Sequence, residues 1–245
     1  MANNLELFKA HDFCKSGNAK LTVVLIHGIA SDSTYYDKTL EYFKSLDSLD
    51  DVRFVTFDLL GHGKSYASDE LNYDYDEQLE ALQNSIAALE ASSPLVLVGH
   101  SLGTMIISRY LGTHGTAGVK KAVLISSPIY RKEDLENPIF TKSMAAFKES
   151  LRQADPVFGS SKSFNSSIDN IVLSPDNFGY YAKMPVPTVC IYGEKDKLII
   201  PEIIEGIAKA NPNVSAIRCP DGHSVTEIKY KELQKVLEKT LDEVI

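Results

Sequence analysis

The sequence predicts an α/β fold: a mostly parallel central sheet flanked by helices, with a small helical cap insertion. Three observations carry this expectation. Strand-like apolar runs alternate with helix-like runs along the chain, which is the order of βα units. The strand-like runs are continuous in Val, Ile and Leu, as strands covered on both faces require. One of them, Pro94-Leu95-Val96-Leu97-Val98, passes through Gly99-His100-Ser101-Leu102-Gly103 into the helical pattern of residues 104–110. That is a strand, a sharp turn around a serine, then a helix.

Taken in order, residues 5–14 read as an edge strand or short hairpin. Strands follow at 21–27, 52–58, 94–99, 121–126, 188–193 and 214–219. Helices are predicted at 33–46 and 75–91, each after a strand. A last helix is predicted at 225–245, where Val225, Ile228, Leu233, Val236, Leu237, Leu241 and Val244 recur at helical spacing and form a core-facing stripe. No internal repeat and no long linker interrupts the pattern.

One region breaks the alternation. Residues 127–186 lie between two strands and are too many for a single crossover helix. They hold a helical patch with Met144, Phe147 and Leu151, a serine-rich stretch at 160–167, and then Phe178, Tyr180 and Tyr181. The expected organisation is a core of residues 1–126 and 187–245 with a cap of residues 127–186 folded over the strand ends. In open α/β sheets ligands bind beyond the carboxyl ends of the strands.

Bulk properties narrow the function. At 245 residues the chain fits one large α/β domain or two small ones. Its net charge of −8 argues against nucleic acid and against anionic membrane surfaces as partners. Residues 1–8 carry no basic segment leading into an apolar core, so no secretory signal is expected. Cys14, Cys190 and Cys219 are odd in number and widely spaced, which suggests reduced thiols of a cytoplasmic protein. No two histidines share metal-ligand spacing and there is no thiolate cluster, so neither metal nor cofactor is expected.

The serine turn points to nucleophilic chemistry. A serine hydroxyl needs a base, and the base needs an orienting acid. Where a strand-turn-helix presents the serine, the chain order is Ser, then Asp or Glu, then His. Asp196 follows the strand at 188–193, and His223 follows the strand at 214–219, so all three side chains emerge at one sheet edge. Glu194 is the alternative acid; Asp221, two residues before His223, reads as a turn residue. Among the remaining histidines, His11 and His114 lie in polar surroundings, and His27 and His62 precede glycines in tight loops and read as structural. His100, beside Ser101, is expected to point away from it. The backbone N–H of Leu102 and that of Ile29, after His27-Gly28, are the expected oxyanion donors.

Four motifs now stand in order: His27-Gly28-Ile29, Asp58-Leu59-Leu60-Gly61-His62-Gly63-Lys64-Ser65, Gly99-His100-Ser101-Leu102-Gly103, and Gly193 to Pro201 with Gly222-His223. Together the sequence resembles the α/β-hydrolase superfamily, in its serine branch with a small helical cap. The resemblance spans nearly the whole chain. Serine at position 101 separates it from haloalkane dehalogenases and epoxide hydrolases, which carry aspartate there. Two departures stand out. There is no tryptophan, where many relatives have one after the His-Gly loop, and Tyr35 and Tyr36 fall near that place. The amino-terminal hairpin is also short.

The resemblance implies an enzyme that cleaves small or medium carboxylic esters by an acyl-enzyme route. Phe147, Phe164, Phe178, Tyr180 and Tyr181 are the cap residues expected to wall the substrate pocket. The same triad also serves lactonases, carbon–carbon bond hydrolases, thioesterases and acyltransferases. A ligand sensor with slow turnover is a further alternative.

Overall fold

The computed structural model describes residues 5–153, 161–224 and 228–244. Seven strands form one sheet in the order β1-β3-β2-β4-β5-β6-β7. They are β1 (Phe8–Cys14), β2 (Leu21–Ile26), β3 (Val52–Asp58), β4 (Leu95–His100), β5 (Val119–Ile125), β6 (Thr188–Gly193) and β7 (Val214–Cys219). Only β1 runs antiparallel, against β3; the other five pairings are parallel. Residues 5–14 thus resolve to a single edge strand. The central strands β2 and β4 are buried along their whole length, which is why they read as unbroken apolar runs.

The helices are α1 (Asp37–Lys44), α2 (Tyr75–Ala87), α3 (Leu102–Thr113), α4 (Lys132–Leu135), α5 (Pro138–Gln153), α6 (Ser161–Ser166), α7 (Asn177–Ala182), α8 (Pro201–Ala210) and α9 (Ile228–Asp242). Several differ from expectation. The helix predicted at 33–46 is a 3₁₀ turn, Ser33–Tyr36, that leads into α1. Helix α2 stops earlier than residue 91 because Glu90, at φ 45°, turns the chain into the left-handed region. Helix α8 lies where the sequence reading had none, although Pro201 occupies its first turn and Ile203, Ile204 and Ile207 form its buried stripe. The expected start of the last helix, Val225, lies outside the described residues.

Two apolar clusters sandwich the sheet. One gathers Val24, Ile26, Leu97, Met105, Ile106 and Leu124 with α2, α3, α7 and α8. The other joins Val23, Leu25, Val96, Val98 and Val123 to Leu40 and Phe43 of α1 and to Leu233, Leu237 and Leu241 of α9. Alternate residues of one strand serve opposite clusters, as the period-two geometry of a strand dictates.

Between β5 and β6 the chain forms α4 to α7 and a π-helical turn at Ser167–Val172. Helix α6 docks on the loop that leaves the carboxyl end of β3. There Ser163 Oγ donates to the Gly61 carbonyl at 3.1 Å, Lys162 Nζ reaches the Asp69 carbonyl at 2.6 Å, and Ser166 Oγ bonds the Asn72 carbonyl. Helix α7 packs on α3: the Tyr181 hydroxyl donates to Thr104 Oγ1 at 2.6 Å, and the Arg109 guanidinium lies 4.8 Å from the Tyr180 ring centroid.

Candidate active site

Ser101 links the end of β4 to the first turn of α3. Its backbone sits at φ 48°, ψ −113°, a conformation that costs energy for any residue with a side chain. Contacts on both sides enforce it. A β-carbon at Gly103 would lie 2.5 Å from the Ile26 carbonyl oxygen, and one at Gly99 would lie 2.7 Å from the Gly103 carbonyl carbon. Only glycine lets α3 come this close to β2 and β4. The Ser101 N–H donates to the Ile125 carbonyl at 2.9 Å, and Thr104 N–H and Oγ1 both donate to the Ser101 carbonyl, at 3.0 and 2.6 Å. The turn is thereby tied to β5 and to its own helix.

The three residues that the sequence assigns to the triad meet. His223 Nε2 lies 3.0 Å from Ser101 Oγ, and His223 Nδ1 lies 2.7 Å from Asp196 Oδ2. The other carboxylate oxygen of Asp196 accepts the Leu198 N–H at 2.8 Å. The Asp196 carboxylate is fully buried, while the His223 ring keeps partial access to solvent. A buried carboxylate accepting at Nδ1 holds the proton on that nitrogen and leaves Nε2 as the basic atom facing the serine. Glu194 instead pairs with Arg218 at 3.2 Å on the surface, and Asp221 Oδ1 caps its own turn by accepting the Gly222 N–H at 2.9 Å.

Ile29, whose N–H is the second expected oxyanion donor, lies in the loop after β2. His27 is fully buried; its Nε2 accepts the Leu59 N–H at 3.0 Å and its Nδ1 donates to the Gly28 carbonyl at 2.7 Å. Leu102 opens α3, and the first N–H groups of a helix lack partners within it. Gly28 is tight against the site, since a β-carbon there would lie 2.8 Å from His100 Nδ1 and 3.1 Å from Ser101 Cβ.

Burial sets the charge of the inner histidines. It holds His27 below the ordinary imidazole range, against the opposing pull of the hydrogen bond to Gly28 and of Asp58 and Asp32. It takes His62 down to about 3, aided by the neighbouring His27 ring at 5.4 Å. The Asp58 motif is a brace. Its Oδ1 accepts from the Ser33 N–H at 2.8 Å and its Oδ2 from the Lys64 N–H at 2.9 Å, which binds the loops after β2 and β3 together.

The aromatic residues expected to wall a pocket do not gather in one place. Tyr181 is buried with its hydroxyl on Thr104, a prop behind the serine turn. Tyr180 lies at the far end of α3, against Arg109 and Gly112. Phe178 faces Arg131, Phe164 is buried on α6, and Phe147 packs half-buried on α5. Two residues that the sequence reading did not assign lie at the triad. Tyr35 stacks on His100 at 4.3 Å, and His100 packs on His223 at 5.2 Å. His100, expected to point away from Ser101, lies beneath His223. No local signal marks that contact, because it joins residues more than a hundred positions apart.

Among the described residues no group of three or more His, Cys, Asp or Glu is arranged to hold a metal ion, and no helix is long and apolar enough to cross a membrane. The profile of the alpha/beta hydrolase family matches residues 23–227. Over 129 residues the chain is 32% identical to probable lysophospholipase BODYGUARD 1 of Arabidopsis thaliana, covering 53% of this chain but only 27% of that protein. It is 24% identical over 263 residues to lipase 1 of Psychrobacter immobilis, covering 92% of this chain and 81% of the other. The solved structure of an esterase from Exiguobacterium antarcticum shares the fold, with a TM-score of 0.71 at 19% identity, over 96% of this chain and 95% of that one.

Proposed function

The chain belongs to the alpha/beta hydrolase family, and from that premise we propose that it is a serine hydrolase cleaving small to medium carboxylic esters through an acyl-enzyme. The observation that carries this reading is the continuous hydrogen-bond chain Asp196–His223–Ser101, at 2.7 and 3.0 Å, on a serine turn at φ 48°.

In this reading Ser101 Oγ attacks the ester carbonyl while His223 Nε2 takes its proton. Asp196 holds the imidazole in the required tautomer and stabilises the imidazolium. The oxyanion is received by the N–H groups of Leu102 and Ile29. His27 has a part here. A trans peptide carries its C=O and the next N–H on opposite sides, so holding the Gly28 carbonyl aims the Ile29 N–H the other way. Collapse of the tetrahedral adduct expels the alcohol with the proton from His223. Water then enters by the same steps in reverse order, and the carboxylic acid leaves.

Residues 127–186 serve as the cap and residues 1–126 and 187–245 as the core. Docking of α6 on the loop after β3 and of α7 on α3 supports this division. A cavity of about 350 Å³ between α4, α5 and the π-helical turn is lined by Leu135, Phe140, Met144, Ala145 and Leu173 among others, and by none of Ser101, Asp196 and His223. The cysteines are free, and burial pushes the Cys190 thiol up to about 12, which suits a protein of the reducing cytoplasm and leaves that thiol inert.

Hydrolysis of a p-nitrophenyl ester series, acetate to dodecanoate, tests the reading. Wild type and Ser108→Ala should turn over, with a peak at one chain length, and Ser101→Ala should not. Turnover retained in Ser101→Ala removes the serine mechanism. Labelling of Ser101 by a fluorophosphonate without turnover of any ester removes the ester assignment and leaves lactone, thioester, carbon–carbon or acyl-transfer chemistry on the same triad.

A further inference from the structure

We infer that Tyr35 and His100 form a clamp that positions His223 for proton exchange with Ser101; the inference rests on His223 being the base. Two successive carbonyls of the loop that carries His223 are held from outside that loop. The Tyr35 hydroxyl donates to the Ser224 carbonyl at 2.8 Å. His100 Nε2 lies 3.1 Å from the His223 carbonyl, and because a carbonyl only accepts, that nitrogen carries the proton. The Tyr35 ring lies flat on His100, with 4.3 Å between centroids and 21° between planes, and His100 in turn packs on the His223 ring at 5.2 Å. The three residues come from the turn after β2, the end of β4 and the loop after β7.

The opposite flank of the same loop is anchored by backbone. The Lys195 N–H donates to the Asp221 carbonyl at 2.9 Å and the Glu194 N–H to the Cys219 carbonyl at 2.8 Å. A side chain at Gly193 would collide with the Asp221 and Gly222 carbonyls. The loop is thus gripped on one flank by the strand end that carries Asp196 and on the other by Tyr35 and His100. The imidazole itself is pinned to Asp196 at Nδ1, so a shift of the His223 backbone swings Nε2 about that pin. At 3.0 Å the Nε2–Oγ contact has little slack before it passes out of hydrogen-bond reach.

Both clamp residues are suited to a constant role. Burial keeps the Tyr35 phenol protonated far above its ordinary range, so it remains a donor throughout the working pH. His100 fits only because residue 28 is a glycine. In this inference Tyr35 and His100 are positioning residues that act through His223.

Kinetics of Tyr35→Phe, His100→Ala and His100→Gln test the clamp. The assays are turnover of p-nitrophenyl acetate, fluorophosphonate labelling of Ser101 and thermal midpoints, with Ser101→Ala and His223→Ala as controls. Tyr35→Phe keeps the ring stack and removes one hydrogen bond, so kcat should fall roughly three- to tenfold with KM and the midpoint unchanged. His100→Ala should lose more, and His100→Gln, which restores a donor, should recover most of that loss. Wild-type kcat in both Tyr35→Phe and His100→Ala overturns the clamp. So does a loss that only tracks a lowered midpoint and is not recovered by His100→Gln. If His223→Ala still labels at the wild-type rate, the base assignment falls and the clamp with it. If His223→Ala is dead and the clamp variants are not, the clamp alone falls.

Discussion

Acid should weaken this protein through its two buried histidines before its carboxylates titrate. Each nitrogen of His27 has a backbone partner suited to the neutral ring. Protonating Nε2 would set two N–H groups against each other at 3.0 Å, in a place with no access to water. His62 is held near 3 by burial, against about 6.5 in the unfolded chain. The folded value is the lower one, so below pH 6.5 the unfolded state binds more protons and stability falls as pH falls, down to about pH 3; above pH 6.5 the effect vanishes. The slope is about 1.4 kcal/mol per pH unit per imidazole. Between pH 7 and pH 5, His62 alone then removes roughly 2 kcal/mol, and His27, shifted in the same direction, adds to that loss. Against a total stability of about 5–15 kcal/mol this is a large share. Urea unfolding at pH 7, 6 and 5, followed by far-ultraviolet circular dichroism, measures it; the window stops at pH 5 to keep most carboxylates out. His62→Asn should flatten the slope whatever its effect on absolute stability, and comparing slopes cancels the other titrating groups. An unfolding free energy unchanged between pH 7 and 5, or a wild-type slope in His62→Asn, would refute the reasoning.

Two further outcomes follow from the serine turn. Gly103→Ala presses a methyl to 2.5 Å from the Ile26 carbonyl, where backbone cannot give way. Its thermal midpoint should drop by roughly 5–10 °C, for a cost of about 2–3 kcal/mol, and an unchanged midpoint would mean that α3 can slide away from β2. Asp196→Asn should keep the fold and lower kcat by a factor on the order of 10³–10⁴, because the amide no longer fixes the His223 tautomer; stopped-flow burst and steady-state rates would show whether acylation is the step that slows.

Much of the fold was legible because its signals are local. A strand buried on both faces spells itself as an apolar run, so β2 to β6 are legible within a few residues, whereas β7 is a half-exposed edge strand of mixed sequence. Ser101, Asp196 and His223 were legible for a related reason: each sits just past a strand's carboxyl end, and parallel strands bring those ends to one edge. The site's support was not legible. Tyr35 bonds a carbonyl 189 residues away, and no spacing rule reaches that far. Tyr180 and Tyr181 are neighbours in sequence, yet the helix turns one onto Arg109 and the other onto Thr104. An aromatic residue in an insertion thus announces burial but not what it is buried against. Helix α8 does carry local signals, a proline at its start and an isoleucine stripe.

Helix α3 answers to both ends of its length. Its first residue follows Ser101, and its far end seats Tyr180 so tightly over Gly112 that a β-carbon there would lie 2.5 Å from the ring. Between them, Thr104 passes a hydrogen bond from Tyr181 toward the Ser101 carbonyl. A change of volume at Tyr180 or Tyr181 therefore bears directly on the helix that carries Ser101. Helix α5 also joins the core, through buried Met144, half-buried Phe147 and Phe140 edge-on to Tyr130. A mutational library aimed at altered substrate range would, at Tyr180 and Tyr181, trade new contacts for a displaced Ser101, whereas Gly179 between α7's tight contacts opens onto free space.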